Sequence, residues 1–497
     1  MWAGKKGEFK ATDAQKKALK EELKGFEFNK DTFTNFEATL KFAVFAKKLY
    51  PKSTENILAI DAITNSVYNM AFSATNGNIE ALFKKDENKK TSGGFDFDSI
   101  TTKDTNENKV LKQVFDLFED AIKHQAIFIS DGKEYGSSKL NYHKIALNIG
   151  STAGFSHLGK DKPENLYTFK DDKLKEEKDG NTKYIIKYLT PVIEKDGSIK
   201  LQLQKDNGIE TNKLLDSEKG AEKEDYIISD DLAKQNKSKL SDLKGILVDN
   251  YNYGPKKPTS IIEKDNKIFI KNKKAEVELK GAFKFGKLKK GRHTNVFYFI
   301  PESQLELTIE TEADILNKTE LQLFASPAKF NQASTHSAFT LQGGSIFGVH
   351  ANEKEDKGTI KFLKWLVSAK ITKDIKFKFK DKDGKPKIKE YKANKYTGAE
   401  IIADYGSYIV PLKSTISSSE DSELYERLNE ANKILFERLK ISSSDQNVMA
   451  IEDISAPQAT KIRKAIKTGF KTLFNKATAN QPFTFDDLIK TIDENKK

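Results

Sequence analysis

The stretch Lys144-Ile145-Ala146-Leu147-Asn148-Ile149-Gly150-Ser151-Thr152-Ala153-Gly154-Phe155 reads as a short buried strand that ends in Gly-Ser and opens a helix. That geometry presents backbone N–H groups to a cleft, with an aromatic ring close by. Ala59-Ile60-Asp61-Ala62-Ile63-Thr64-Asn65-Ser66-Val67-Tyr68 has the same texture, an apolar strand end passing through polar residues into a helix. A third segment runs from Ala325-Ser326-Pro327 through Leu341-Gln342-Gly343-Gly344-Ser345-Ile346-Phe347-Gly348-Val349 to the amphipathic helix Thr359-Ile360-Lys361-Phe362-Leu363-Lys364-Trp365-Leu366. The fourth, Tyr405-Gly406-Ser407-Tyr408-Ile409-Val410-Pro411-Leu412, is a glycine-bearing turn followed by an extended crossing.

Outward from these segments the chain alternates in character. Helices are expected over 11–25, from Thr34 to Leu49 where Pro51 bars continuation, over 62–83, and from Val110 to His124. Residues 84–107 are polar, with Ser92-Gly93-Gly94, and read as a surface loop. After Gly159 short β-like runs take over, separated by turn signals such as Asp196-Gly197 before Ile199-Lys200-Leu201. A further hairpin is expected at Lys376-Phe377-Lys378-Phe379, turning at Asp383-Gly384. Helices return over 421–440, over 457–475 and after Thr484.

The 497 residues are too many for one compact core. No stretch approaches the length of apolar chain that spans a bilayer. Met1-Trp2-Ala3-Gly4-Lys5-Lys6 lacks the apolar run of a signal peptide. Cysteine is absent, which removes disulfides, thiolate metal sites and cysteine nucleophiles. Any lipid-bearing cysteine is therefore expected upstream of Met1. The net charge of +12 is carried almost wholly by lysine, with Arg292, Arg427, Arg438 and Arg463 the only arginines. Lysines interleaved with acids, as in Lys173-Leu174-Lys175-Glu176-Glu177-Lys178, make a solvated surface and argue against a nucleic-acid partner.

The chemical motifs favour plain structural readings. Gly281-Ala282-Phe283-Lys284-Phe285-Gly286-Lys287 follows a phosphate loop until Leu288 takes the place of the Mg²⁺-binding hydroxyl, and its alternation is that of a strand. Asp381-Lys382-Asp383-Gly384 lacks the remaining calcium ligands and reads as a turn. The six histidines, at 124, 143, 157, 293, 336 and 350, show no paired metal-binding spacing. No nucleophile elbow occurs. The expectation is a protein without catalysis, cofactor or metal.

Taken in order, the four segments resemble the maltose-binding-protein class of extracellular solute-binding proteins, and look most like the mycoplasma surface lipoproteins of the P68 family. The resemblance covers roughly residues 30–160 and 325–497. It implies an α/β fold of the periplasmic-binding-protein type, two lobes joined by a hinge that closes on a ligand. By that resemblance residues 1–30 are a remnant of the first lobe, 31–160 the first part of the second lobe, and 161–325 a lysine-rich β insertion. Residues 326–413 then hold the hinge crossings and part of the first lobe, and 414–497 the closing helices. Family members carry a long stretch before the segment that resembles Asn29-Lys30-Asp31 onward, so the first lobe is expected to be incomplete.

Carried over by position, the cleft is lined by Asp61, Asn65, Tyr68, Ser151, Phe155, Gly344, Ser345, Tyr405 and Tyr408. Tyr68 and Phe155 would stack on a sugar or other flat apolar group while Asp61 and Asn65 satisfy hydroxyls. Trp365, on one stripe with Phe362, is expected in the core. The implied protein is a lipid-anchored component of the outer membrane face that hands a small polar solute to an ABC permease. The rival reading is a surface adhesin or host-binding protein that keeps the fold without transport.

Overall fold

Helix boundaries follow local chemistry in the computed structural model. It describes residues 12–51, 55–78, 80–130, 132, 134–159, 165–171, 189–193, 199–205, 208–215, 225–228, 245–249, 260–272, 275–290, 293–309, 311–341, 350–380, 386–406, 408–417, 422–452, 454, 456 and 458–496. Thr12 and Gln15 form a capping box at the start of α1 (Asp13–Glu22), and Asn35 caps α2 (Phe36–Leu49) through the Ala38 N–H. The chain divides into two units, one of residues 1–161 and 316–497, the other of residues 162–315. The whole is mixed α/β, built of helices and small sheets.

The first unit is organised by a three-stranded parallel sheet, order β4-β1-β5, from β1 (Leu58–Ile60), β4 (Ile127–Ile129) and β5 (Leu147–Ile149). Strands β1 and β4 are buried at every residue, as a parallel strand covered on both faces must be. Between β1 and β4 come α3 (Ile63–Ala74), the short hairpin β2 (Lys84–Lys85) and β3 (Phe95–Asp96), and α4 (Asn106–Lys123). The short α5 (Gly136–Leu140) leads on to β5. Core side chains include Leu40, Val44, Ile60, Val67, Met70, Val114, Phe118 and Ile129.

Two expectations are corrected here. The helix expected over 62–83 stops at Ala74, because Asn76 and Gly77 take left-handed φ values of 53° and 88°. Gly77 also lies so close to His336 that a Cβ would sit 2.7 Å from the ring. The stretch 84–107 is more than a surface loop: Phe97, Ser99 and Ile100 are buried beneath it.

The C-terminal half supplies the parallel pair β18 (Ser337–Leu341) and β21 (Val448–Glu452), with α3 packed on β18. Between them lie α6 (Glu353–Ser368), the hairpin β19 (Ile375–Lys380) and β20 (Pro386–Tyr391), α7 (Gly398–Gly406), α8 (Lys413–Ile416), α9 (Glu423–Arg427) and α10 (Glu430–Ser444). The helix expected over 421–440 is thus two helices, broken at Leu428 and Asn429, where Asn429 caps α10. Asp404 accepts hydrogen bonds from the Tyr391 hydroxyl at 2.9 Å and Arg427 Nε at 2.7 Å. Arg427 lies over the rings of both Tyr391 and Tyr396. The chain closes with α11 (Ala459–Thr478) and α12 (Phe485–Asn495), the latter opened by a Thr484–Asp487 capping box.

The second unit is β-structured. A two-stranded pair joins β6 (Asn165–Phe169) to β17 (Leu305–Ile309). A meander runs through β7 (Leu189–Ile193), β8 (Ile199–Lys205) and β9 (Gly208–Leu215). A four-stranded sheet has the order β10-β15-β16-β11, from β10 (Asp225–Ile228), β11 (Gly245–Asp249), β15 (Phe283–Lys290) and β16 (His293–Pro301). A second meander comprises β12 (Ser260–Lys264), β13 (Lys267–Lys271) and β14 (Glu276–Glu278). Its core includes Ile246, Val248, Ile268, Ile270 and Ile300. Phe283 to Lys290 is a strand, so the resemblance to a phosphate loop has no structural counterpart. The pairs β7/β8 and β19/β20 form as the turn signals require, while the turn residues Asp196-Gly197 and Asp383-Gly384 lie outside the described residues.

Candidate functional site

In an open parallel sheet, ligands settle outside the carboxyl ends of strands where the strand order reverses. Here that place is the end of β1 and β5, and Asp61 stands in it. The Asp61 N–H donates to the Ile149 carbonyl at 3.0 Å. Its carboxylate accepts the Gly136 N–H at 2.6 Å and the Asn148 amide at 3.2 Å. Burial pushes the Asp61 carboxyl above its ordinary value, and these two donors pull against that rise. Gly136 and Gly150 leave room for this arrangement: a Cβ on Gly136 would fall 2.1 Å from Asn148 Oδ1, and one on Gly150 3.0 Å from Asp61 Oδ2. Asp61 therefore clamps β1, β5 and α5 together.

Asn65 and Tyr68 lie one helical turn apart on α3, and both meet α11. Arg463 donates to Asn65 Oδ1 at 2.6 Å, and its guanidinium sits 5.4 Å from the centre of the Tyr68 ring. Tyr68 is buried and meets Phe83 edge to face at 5.8 Å. Beside it opens a cavity of about 330 Å³, walled by Tyr68, Phe72, Leu82, Phe83, Phe95, Met449 and Ile451. Polar groups come from Asn78, Glu80, Lys85 and Glu452. Two of these order the turn that carries the wall. Asn78 Oδ1 accepts the Glu80 N–H at 3.0 Å, and the Glu80 carboxylate accepts the Lys85 N–H at 3.1 Å.

Sequence reasoning missed most of this cavity. Its signal was the pair of aromatics Phe95 and Phe97 alternating within a stretch that is otherwise polar, the mark of a half-buried strand. Nothing local marks Met449 and Ile451, which reach the cavity through the pairing of β21 with β18.

The remaining expected residues are dispersed. Ser151 is exposed and caps a single 3₁₀ segment, Thr152–His157, by accepting the Ala153 N–H at 3.2 Å. That segment replaces the helix expected after Gly150. Phe155 within it is half-buried. Gly344 and Ser345 lie outside the described residues. Tyr405 ends α7 and stacks on Phe377 at 4.3 Å, while Tyr408 follows in extended chain, and both rings are exposed. No hydrogen bond or ring contact among the described residues joins either tyrosine to Asp61, Asn65 or Tyr68. Trp365, expected in the core, is 42% exposed.

Other titratable groups are committed to structure. Lys139 is buried, with Glu55 at 2.5 Å, Glu134 at 3.3 Å and the Phe128 ring below it. Burial pulls its ammonium down, and the two carboxylates outweigh that and hold it above the ordinary lysine value. That direction is opposite to the one an amine base or nucleophile needs. His143 is buried against Glu320 at 3.0 Å. No cluster of three or more metal-ligating side chains occurs among the described residues. No helix among them is long and apolar enough to cross a membrane.

Residues 7–179 match the family model described as Mycoplasma MG185/MG260 protein, and residues 340–475 match the one described as Putative mycoplasma lipoprotein, C-terminal region. The uncharacterized lipoprotein MG260 of Mycoplasma genitalium is 26% identical over 426 residues, covering 81% of this chain. Two uncharacterized lipoproteins of Mycoplasma pneumoniae are 25% and 26% identical, covering 94% and 92% of it. The chain spans 50%, 63% and 64% of the length of these three relatives. No solved structure gives a significant match. This chain is thus a homologue of mycoplasma lipoproteins. More narrowly, its homologues are those of the MG185/MG260 kind, so the lipoprotein part of the resemblance holds.

Proposed function

We propose that the chain is the ligand-binding part of a mycoplasma surface lipoprotein, a non-enzymatic carrier that takes up a small solute for an ABC permease. The two-lobe, hinge-closing fold and an outer-face location through a lipid anchor belong to this proposal. The observation that carries it is the cavity of about 330 Å³ beside Tyr68. A concave, mostly apolar and aromatic wall with a few polar groups is the usual composition of a small-molecule site. Those walls favour a solute with an alkyl or aromatic portion seated against Phe72, Phe83 and Phe95, its polar end toward Lys85, Glu80 and Asn78. A sugar, whose hydroxyls need partners all round, fits this wall less well. Asp61 and Asn65, already engaged, contribute by fixing the frame.

Thermal melts against medium-chain fatty acids, aromatic amino acids and short apolar peptides test the reading. A ligand at a hundred times its dissociation constant adds about 2.7 kcal/mol. Ile451→Trp, which projects an indole into the cavity from β21, abolishes that shift and keeps a cooperative melt. No saturable shift with any of these probes, or one that survives Ile451→Trp, removes the cavity as the site. Heparin affinity that depends on residues 162–315, with no small-molecule shift, turns the assignment to a surface interaction protein. The transport half is tested separately, by uptake of the ligand in cells lacking the protein.

A further inference from the structure

Helix α6 has no fully buried residue along its 16 positions. Ile360 and Phe362 are each 54% exposed and Trp365 42%, with the Phe362 and Trp365 rings stacked at 5.9 Å. Successive residues step about 100° around a helix. On that wheel Leu363, Leu366 and Val367 form the inward arc, and Leu366 is seated against Gly398 of α7. The outward arc carries Lys357, Lys361 and Lys364. Ile360 borders it on one side and Trp365 with Phe362 on the other.

Acidic residues of α6 are confined to its first turn, Glu353, Glu355 and Asp356. Two of them are occupied, Glu353 by Lys357 at 2.5 Å and Asp356 by His350 at 2.5 Å. From Lys357 to Ser368 the helix holds no carboxylate. Among the described residues Lys361 and Lys364 meet no acidic partner. The hairpin that follows adds Lys378, while Lys376 is paired with Glu390 at 2.9 Å and Lys389 with Asp404. Cations in the centre of an exposed arc, with tryptophan and phenylalanine at its edge, match a layer of anionic headgroups above acyl chains.

We propose that α6 is a membrane-surface contact: its lysines bind the anionic headgroups of a bilayer while Trp365 and Phe362 enter the interface. A lipid anchor on the protein would hold the chain at such a surface, and α6 would then fix its orientation there. The contact is independent of the cavity and of its ligand.

Trp2 and Trp365 are the two tryptophans, so Trp2→Phe leaves Trp365 emission as the reporter. The probes are vesicles of phosphatidylcholine alone and of phosphatidylcholine with phosphatidylglycerol, mixed with the whole chain at low salt. The expected result is co-sedimentation with the anionic vesicles and a blue shift of Trp365. Both are lost in Lys361→Glu/Lys364→Glu, whose exposed positions leave the melting temperature unchanged, and both weaken as salt rises. Binding with Trp365 unshifted, or binding unaffected by the double reversal, overturns the proposal in favour of general attraction to a basic surface. No binding overturns it outright. Trp365 emission that is blue without vesicles and reddens on dilution overturns it too, showing the face covered by a second copy of the chain.

Discussion

Asp61 shows how one side chain can be recruited by its own fold before any ligand reaches it. Its oxygens take an N–H from α5 and an amide from β5, and burial raises its carboxyl above the ordinary 3.8. A raised folded value means that the native state holds the proton more tightly than the unfolded chain. The stabilisation is therefore complete below 3.8 and is lost as pH climbs through the folded value. Asp61→Asn keeps a carbonyl to accept from Gly136 and has no proton to lose. Urea midpoints between about pH 4 and pH 7 should fall with pH in the native chain and stay flat, relative to it, in the variant. A steeper fall in the variant would mean that the ionised carboxylate stabilises the clamp.

At the scale of elements, two helical glycines on the same chain are expected to act with opposite sign. Gly469 of α11 sits where α12 crosses. A Cβ there would fall 2.6 Å from Leu488 Cδ1 and 3.2 Å from Ile492 Cγ1, both fully buried side chains. Gly469→Leu overfills that crossing and should cost about 1–3 kcal/mol. Gly358 of α6 has nothing within 4 Å. Gly358→Ala only reduces the backbone freedom of the unfolded chain and should add about 0.5–1 kcal/mol. Denaturant midpoints measure both, and a loss at Gly358 would mean that the outer arc of α6 is packed against something.

For the whole molecule, the relevant junction is a single residue. Asn141 accepts the Gly159 N–H on its side-chain oxygen at 2.8 Å and the Leu316 N–H on its backbone carbonyl at 2.8 Å. The two points at which the chain leaves and rejoins the first unit are thus held by one asparagine. Replacing residues 162–315 by a short Gly-Ser linker adds little closure entropy under that constraint. The shortened chain should fold cooperatively, keep its helical circular dichroism and keep the cavity beside Tyr68. Loss of the cooperative transition would make the β unit part of the folding nucleus of the other.

Sequence by itself determined the elements whose cause is local. Capped helices such as α2 and α12 follow from Asn35 and Thr484, and hairpin β19/β20 from alternating Lys-Phe runs about a turn. The strand-to-helix segment at Asp61 and the strand before Gly150 were legible for the same reason, and so was the β character of the described residues from 165 to 309. Tertiary structure decided which groups meet. Asp61 is taken by Gly136, and Asn65 by Arg463, across 398 positions of chain. Trp365 turns outward because the inward arc of α6 is filled by its leucines. The cavity exists because β21 returns to β18 and brings Met449 and Ile451 opposite Phe83. Hydrophobic periodicity marks which side of an element is apolar, and only packing assigns that side a partner, a ligand or a surface.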